Sequence, residues 1–358
     1  MSKAKGLAAL ASTLALTAAC TLAAAAPSTG ASETPDVREK ILQLLEQGAL
    51  YRDQIDWPST RQQIRHANEP TEADKLLDDV IARSTGNHGR WIRASTMAST
   101  SGMQRTAQAS QLRRPAKAAG SAGPAAARNG NTDPIGWISI PTFKEDSTAA
   151  PPVRYQQQVS FAQQLQTQLR TEDQRDRCGW IVDLRANQGG NMWPMILGVA
   201  PLLSTHPSDK EVIGAFNLGK THQVWSLQSG RVMVDERMRI ELASPPYVLR
   251  HPAPAVAVLF GSKTASSGEM MALAFRGRPA TRSFGQPTAG LSTANNPVRL
   301  TDGSMLLLTG SVAVDRNFKG DGGKLQPDVS ISDSTDTEAA ARRWLMEQPA
   351  CLGASRAL

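Results

Sequence analysis

A serine in a polar turn between two apolar segments is the first candidate for chemistry. The segment Phe260-Gly-Ser-Lys-Thr-Ala-Ser-Ser-Gly-Glu-Met270 follows the apolar run 255–260 and opens a predicted helix from about Ser266 to Arg276. This places Ser266 at a helix N-terminus, where free backbone N–H groups and the helix dipole favour the negative charge that develops during acyl transfer. The same residues also fit a plain helix cap, because Ser266 and Glu269 have the spacing of a capping box.

A second polar loop follows another predicted strand. Residues 180–184 form a nearly continuous apolar run that is typical of a buried strand. The loop after it, 186–191, contains two adjacent glycines, which let a backbone approach a ligand closely. Taken alone, the loop is equally compatible with a tight strand-to-helix turn. Asp183 and Arg185 are expected to brace the end of the strand as a pair.

Four motifs in a fixed order resemble those of a known family. They are WIVDLRANQGGNMWPM, KTASSGEMMALAFRGRP, SFGQPTAGLSTANN and KLQPDVSI, within roughly residues 134–332. They are similar to the tail-specific, or carboxy-terminal processing, serine peptidases, and most of all to the branch that includes the tricorn core and the nisin resistance protein. The resemblance implies an α/β fold with a ClpP/crotonase-like core and a mixed, partly parallel sheet. It also implies a serine-type endopeptidase that needs no cofactor and no metal.

The resemblance assigns the nucleophile and the oxyanion hole residue by residue. The first serine of the family's TASS-type motif falls on Ser266. The oxyanion hole would use a backbone N–H from the Gly189-Gly190 turn and the N–H of Ser267. In the processing branch the base is a lysine 25 residues after the serine, but that position is Leu291 here. Lys263 precedes the nucleophile on the wrong side of the turn, so a serine–lysine dyad is not expected.

The predicted base is a histidine from the N-terminal region. The tricorn and nisin-resistance branch uses such a histidine in a short segment after a helix, and His88 in residues 84–91 fits that segment. Gly89 departs from the Ser or Thr that often follows the histidine in the family. The other four histidines lie in polar or Pro-bounded stretches. Histidine is suited to accept a proton near neutral pH.

Three polar residues are candidates to support the base. A carboxylate or amide is expected to orient the imidazole. Glu269 lies one helical turn from Ser266 on the same side of the predicted helix, and the family has an acidic residue there. Asp315, on a late strand, is the alternative. Asn187, in the motif after Asp183, is expected to point into the site.

The N-terminus is predicted to be an export signal over residues 1–26. Lys3 and Lys5 precede an uncharged apolar run, as in a secretory leader. Two cleavage outcomes compete. A loose lipobox-like match over 16–20 would leave Cys20 for lipidation and membrane attachment, whereas a cut within 23–31 would give a soluble periplasmic or secreted protein. Both outcomes predict a periplasmic or cell-envelope location.

The rest of the chain divides into three predicted regions. Residues 34–98 are predicted to form a helical N-terminal region, 99–132 a low-complexity basic linker, and 133–350 the peptidase core. Alternating strand and helix patterns in the core favour an α/β domain. Residues 301–303, Thr-Asp-Gly, predict a hairpin turn.

The net charge of +7 does not indicate a nucleic-acid partner. Lys3 and Lys5 belong to the predicted leader, and residues 101–132 hold five Lys or Arg with no Asp or Glu. The remaining chain is close to neutral, so no basic face is expected on the core. The linker charge would suit anionic lipid or peptidoglycan, or would simply be solvated.

The expected substrates are peptides or unfolded proteins. Only 47 residues separate His88 from Gly136, too few for the PDZ domain that many processing peptidases carry. Recognition in an open cleft is therefore expected. The alternative function is a catalytically inactive peptide- or lipid-binding protein on the same fold. Cys178 and Cys351 remain after the leader, and export permits a disulfide without establishing that they meet.

Overall fold

The computed structural model describes residues 37–97, 133–146, 149–204, 210–244 and 247–355. The predicted export signal with Cys20 and the predicted linker at 99–132 lie outside these ranges, so the domain boundaries proposed there stay predictions. None of the helices in the described ranges is long and apolar enough to cross a membrane.

A parallel sheet forms the centre of the core. Its strands are β2 (Ile135–Ser139), β3 (Gly179–Asp183), β8 (Ala255–Phe260), β9 (Thr281–Gly285) and β12 (Val329–Ser330). They are hydrogen-bonded in the order β12-β9-β8-β3-β2, and every pair is parallel. Every residue of β8 is buried, as expected for a central parallel strand. The two apolar runs predicted as buried strands are therefore confirmed to within one residue.

Helices cover both faces of this sheet. They are α4 (Pro151–Glu172), α5 (Met192–Gly198), α6 (Ala200–Leu203), α7 (Ser267–Phe275), α8 (Ser334–Met346) and α9 (Pro349–Ser355). Trp180 and Val182 of β3 belong to the same cluster as residues of α4, α5 and α7, whereas Ile181 belongs to the cluster with α8. Successive side chains of a strand point to opposite faces, which accounts for the division. Helices α5 and α6 are separated by Val199 alone.

A second, antiparallel sheet has seven strands, which alternate along the chain with those of the first sheet. They are β1 (Arg90–Ile92), β4 (Glu211–Asn217), β5 (His222–Gln228), β6 (Arg231–Val234), β7 (Arg237–Glu241), β10 (Thr293–Arg299) and β11 (Met305–Val314). The predicted turn at 301–303 joins β10 and β11 in a hairpin. The mixed α/β class is thus confirmed, with one parallel and one antiparallel sheet.

The N-terminal helices pack on that hairpin. They are α1 (Val37–Gly48), α2 (Trp57–Arg65) and α3 (Pro70–Thr85). Their apolar side chains, among them Leu45, Leu77 and Ile81, share a hydrophobic cluster with Leu306 and Leu308 of β11. Because α3 ends above the hairpin, the residues that follow it run directly into β1, which pairs with β11.

One disulfide ties the end of the chain to the parallel sheet. Cys178, directly before β3, is bonded to Cys351 in α9. Both residues are buried. The sequence left this pairing open, and the structure establishes it.

Candidate active site

Ser266 occupies a strained junction between a strand and a helix. β8 ends at Phe260, and α7 begins directly after Ser266. Ser266 has φ 53° and ψ −121°, a conformation that costs a residue with a side chain about 1–3 kcal/mol. Its N–H donates to Glu269 Oε2 at 2.8 Å, which helps to hold the strained turn. Ser266 and Glu269 form the capping box that their spacing predicted, and the Ser266 hydroxyl can also donate its proton to another partner.

That partner is His88, whose position is set by the end of α3. Gly86 and Asn87, with φ 62° and 63°, reverse the chain so that His88 follows at once. His88 Nε2 lies 3.0 Å from Ser266 Oγ. The His88 carbonyl accepts a hydrogen bond from Asn295 Nδ2 at 3.1 Å, so β10 holds its backbone as well. The structure therefore brings together the two residues that the sequence proposed as nucleophile and base.

Gly89 replaces the family's Ser or Thr for a steric reason. A Cβ at this position would lie 2.7 Å from Thr85 Cγ2 and 2.8 Å from the Leu307 carbonyl oxygen. Real Cβ atoms do not approach backbone atoms so closely. The departure from the family pattern thus reflects the tight passage of this segment between α3 and β11.

The imidazole is oriented by a hydroxyl group. His88 Nδ1 lies 2.6 Å from Thr293 Oγ1, and Thr293 is the first residue of β10. A neutral histidine with its proton on Nδ1 would donate to Thr293 and leave the Nε2 lone pair for Ser266. Thr293 is absent from the residues predicted to orient the base, which were carboxylates and an amide, although it lies in the SFGQPTAGLSTANN motif.

The expectation that Glu269 orients the imidazole needs correction. Its carboxylate accepts four hydrogen bonds from residues other than His88. The donors are the N–H groups of Ser266, Gly290 and Leu291 and the hydroxyl of Thr288, at 2.5–2.9 Å. Glu269 is fully buried, and burial raises its pKa while these hydrogen bonds favour the charged form. Its position lets it fix the backbone of Ser266 and of the segment that leads to Thr293.

Asp315 is not a partner of His88 either. It is buried after β11, where Oδ1 accepts from the N–H groups of Asn317 and Lys319 at 2.8 and 3.0 Å. These bonds close the turn that follows the strand, so this alternative is also corrected. Within the described ranges, no group of three or more His, Cys, Asp or Glu side chains is arranged to hold a metal ion.

The environment of His88 keeps its imidazole neutral. The residue is 6% exposed. Burial, with a smaller contribution from the positive charge of Arg90, lowers the pKa of His88 to about 4. The imidazole can therefore accept a proton throughout the neutral pH range.

The glycine loop packs against the serine turn. Ala265 N–H donates to the Asn187 carbonyl at 3.0 Å, and Ser267 Oγ donates to the Gly190 carbonyl at 2.6 Å. A Cβ on Gly189 would lie 2.8 Å from the Ser266 Cβ and 3.2 Å from the Ser267 nitrogen. Glycine at 189 thus leaves open the space beside the serine, as an oxyanion hole requires.

Two backbone donors border that space. Gly189 N–H donates to Asn187 Oδ1 at 2.9 Å and is not available to a substrate. In the described part of the chain, the N–H groups of Gly190 and Ser267 have no hydrogen-bond acceptor. Of the two glycines considered from the sequence, Gly190 is therefore the better candidate for the oxyanion hole.

The Asn187 side chain packs under the glycine loop and does not point into the open site, so that expectation is corrected. It is fully buried, and Nδ2 donates to the Ile140 carbonyl at 3.1 Å. The expected pair of Asp183 and Arg185 is present, with Arg185 Nη2 at 2.8 Å from Asp183 Oδ2.

One curated relative is similar to about half of the chain. The nisin-resistance protein of Lactococcus lactis subsp. lactis is 31% identical over 176 residues, which are 48% of this chain and 50% of that protein. The chain therefore spans about half the length of the curated relative that it matches.

Solved structures share the fold at low sequence identity. A lipoprotein from Streptococcus agalactiae has a TM-score of 0.60 at 23% identity, covering 86% of this chain and 94% of that one. The photosystem II D1 C-terminal processing protease has a TM-score of 0.52 at 14% identity, covering 88% and 97%. A putative peptidase from Parabacteroides merdae has a TM-score of 0.52 at 16% identity, covering 87% and 97%.

The family itself is established by sequence. The profile of peptidase family S41 matches residues 134–331, more than half of the chain, and these residues hold the serine turn, the glycine loop and Thr293. The protein belongs to peptidase family S41.

Proposed function

We propose that the protein is a serine-type endopeptidase in which Ser266 is the nucleophile and His88 the general base. The observation that carries the proposal is the 3.0 Å approach of His88 Nε2 to Ser266 Oγ at a strained helix N-terminus. The catalytically inactive binding protein is not favoured, because a buried neutral histidine aimed at a serine hydroxyl has no evident role in binding.

The mechanism follows from the positions of four groups. His88 Nε2 takes the hydroxyl proton as Ser266 Oγ bonds to the substrate carbonyl carbon, and the oxyanion rests on the N–H groups of Gly190 and Ser267. His88 then gives the proton to the leaving nitrogen as the C–N bond breaks. His88 then takes a proton from a water molecule as the water attacks the acyl-enzyme carbonyl. The bond to Ser266 Oγ breaks as His88 returns that proton to the serine. Thr293 holds the imidazole through Nδ1 during both steps.

We propose peptides and unfolded or processed proteins as substrates, in the periplasm or elsewhere in the cell envelope. The export pattern of residues 1–26 supports the location, as does the structural neighbour described as a lipoprotein. The relative that is named for nisin resistance makes nisin a reasonable peptide to assay.

The experiment that tests the proposal is covalent labelling combined with hydrolysis. A fluorophosphonate probe is expected to label the wild-type protein at one site, and peptide mapping is expected to locate the adduct on Ser266. Purified protein should also hydrolyse unfolded proteins and quenched fluorescent peptides. Labelling at another residue, or hydrolysis that survives complete labelling of Ser266, would contradict the assignment.

Thr293→Val is expected to lower kcat about 10- to 100-fold with little change in KM. The variant keeps the shape of the side chain but leaves the buried Nδ1–H of His88 without an acceptor, which costs about 1–3 kcal/mol. Steady-state kinetics on one fluorogenic peptide would measure the change. Thr293→Ser retains the hydroxyl and should recover most of the lost rate; a serine variant as slow as the valine variant would indicate a packing role instead.

The pH dependence of kcat/KM is expected to show an acid limb near pH 4. His88 is active only when neutral, and its lowered pKa of about 4 keeps it neutral above that value. Activity should therefore persist through pH 5–6 and fall as the pH drops through about 4. Arg90→Gln removes the smaller cause of the lowered pKa and should shift the limb upward. An acid limb at the ordinary pKa of histidine would contradict the buried surroundings described for His88.

A further inference from the structure

Strand β10 has an edge without a partner strand. β10 pairs with one edge of β11, while β1 and β4 pair with the opposite edge of β11. Within the described ranges, no strand pairs with the outer edge of β10. Backbone groups on such an edge lack ladder partners and form a template for an added strand.

The pairing register identifies the groups that point outward. Leu300 N–H donates to the Ser304 carbonyl, and Ala313 N–H donates to the Ser292 carbonyl, which marks hydrogen-bonded pairs at both ends of the hairpin. Inward and outward positions alternate from these pairs, once the one-residue bulge is taken into account. The residues that direct their backbone groups away from β11 are Thr293, Asn295, Pro297 and Arg299.

Pro297 agrees with this register. Proline lacks an N–H and is tolerated within a strand only where no ladder bond is needed. Pro297 is exposed in the middle of β10, at one of the outward positions. It removes one donor from the edge, which limits indiscriminate pairing with other chains.

The same edge begins at the groups proposed for catalysis. Thr293 Oγ1 lies 2.6 Å from one nitrogen of His88, and the other nitrogen lies 3.0 Å from Ser266 Oγ. One imidazole ring therefore separates the start of β10 from the nucleophile. At about 3.3 Å per residue, the strand extends roughly 20 Å from Thr293 to Arg299.

We infer that the outer edge of β10 is the docking strand for the substrate, which adds to it as an extended peptide. The inference rests on the proposed peptidase activity and deepens it by naming how the substrate is held. Backbone hydrogen bonds along the edge would carry the affinity, so the substrate class is flexible or unfolded chain segments of varied sequence. Folded proteins would be resistant, because their backbone groups are already paired.

A scan of N-methylated peptides tests the docking strand. One cleavable peptide is synthesised with a single backbone N-methyl group at each position in turn on both sides of the scissile bond. On the side that pairs with β10, kcat/KM is expected to fall at every second position, about two- to tenfold for each lost hydrogen bond. The intervening positions point away from the strand and provide the matched control.

Pro297→Ala provides a second test with the opposite sign. The substitution adds an outward N–H to the edge, so KM is expected to fall about two- to tenfold for peptides that reach this position. Peptides that end within three residues of the scissile bond on both sides should be unaffected. Pro279→Ala, at another exposed proline, controls for the loss of proline itself.

The outcomes separate the inference from the proposed function. If the wild type cleaves the unmodified peptide but the N-methyl scan shows no period of two, β10 is not the docking strand and the peptidase activity still stands. The same conclusion follows if Pro297→Ala folds and leaves KM unchanged for long peptides. If the wild type cleaves none of the peptides, both the inference and the proposed function are overturned.

Discussion

Ser266→Ala is expected to lower kcat/KM for peptide hydrolysis by roughly 10⁴- to 10⁶-fold, the largest effect of any substitution considered. The variant loses the atom that bonds to the substrate carbonyl but keeps the backbone donors of the oxyanion hole. Initial rates on a fluorogenic peptide, with active-site titration, would measure the loss. Ser262→Ala, an exposed serine in the same turn, serves as the matched control and should retain wild-type rates.

His88→Ala is expected to have an effect of similar size. Without the imidazole, the Ser266 hydroxyl has no group to accept its proton. Because the two residues act as a unit, the double variant should be only slightly slower than either single variant. His66→Ala, at an exposed histidine of the same N-terminal region, is the control. Substantial residual activity in a correctly folded His88→Ala variant would assign the base to another residue.

Glu269→Ala is expected to reduce the free energy of unfolding by about 3–5 kcal/mol, the largest effect on stability. The variant leaves four buried or partly buried donors without their acceptor and relaxes the strained turn at Ser266. Urea denaturation followed by fluorescence would measure the loss.

The isosteric variant Glu269→Gln sharpens this test. Each carboxylate oxygen accepts two hydrogen bonds, so the NH₂ group of an amide would oppose the N–H groups of Ser266 and Leu291 in one orientation and that of Gly290 in the other. A loss close to that of the alanine variant is therefore expected. Glu338→Ala, which removes a partly exposed ion pair with Arg342, should cost less than about 1 kcal/mol. A mild effect of Glu269→Gln would mean that the native carboxyl is protonated.

The proposed nucleophile and base could be named from the sequence because each lies in a short segment that resembles a motif of the family. Ser266 follows an apolar strand and opens a helix, and His88 follows a helix that ends in Gly86-Asn87. Such local patterns can be recognised without knowledge of tertiary contacts. The same holds for the strands β3 and β8, whose apolar runs identify them.

The orientation of the base could not be predicted in this way. Helical spacing correctly places Glu269 near Ser266, but its carboxylate accepts the Ser266 N–H and three donors from residues 288–291 instead of a bond from His88. Thr293 reaches His88 only because the N-terminal helices dock on the β10–β11 hairpin, a contact between residues 205 positions apart. Strand β1, with only three residues, carries too short an alternation to be recognised before its pairing with β11 is known.

The proposed catalytic groups lie far apart in sequence, and this has a consequence for a chain that is still being synthesised. His88 and Ser266 are 178 positions apart, and the threonine that orients the imidazole comes later still. Contacts this distant in sequence form late, because the intervening chain must first be ordered. Under the proposed mechanism, a nascent or half-folded molecule would therefore lack a complete catalytic centre and would not cleave itself or its neighbours. Cleavage of a peptide by the proposed centre would then require a fully folded molecule.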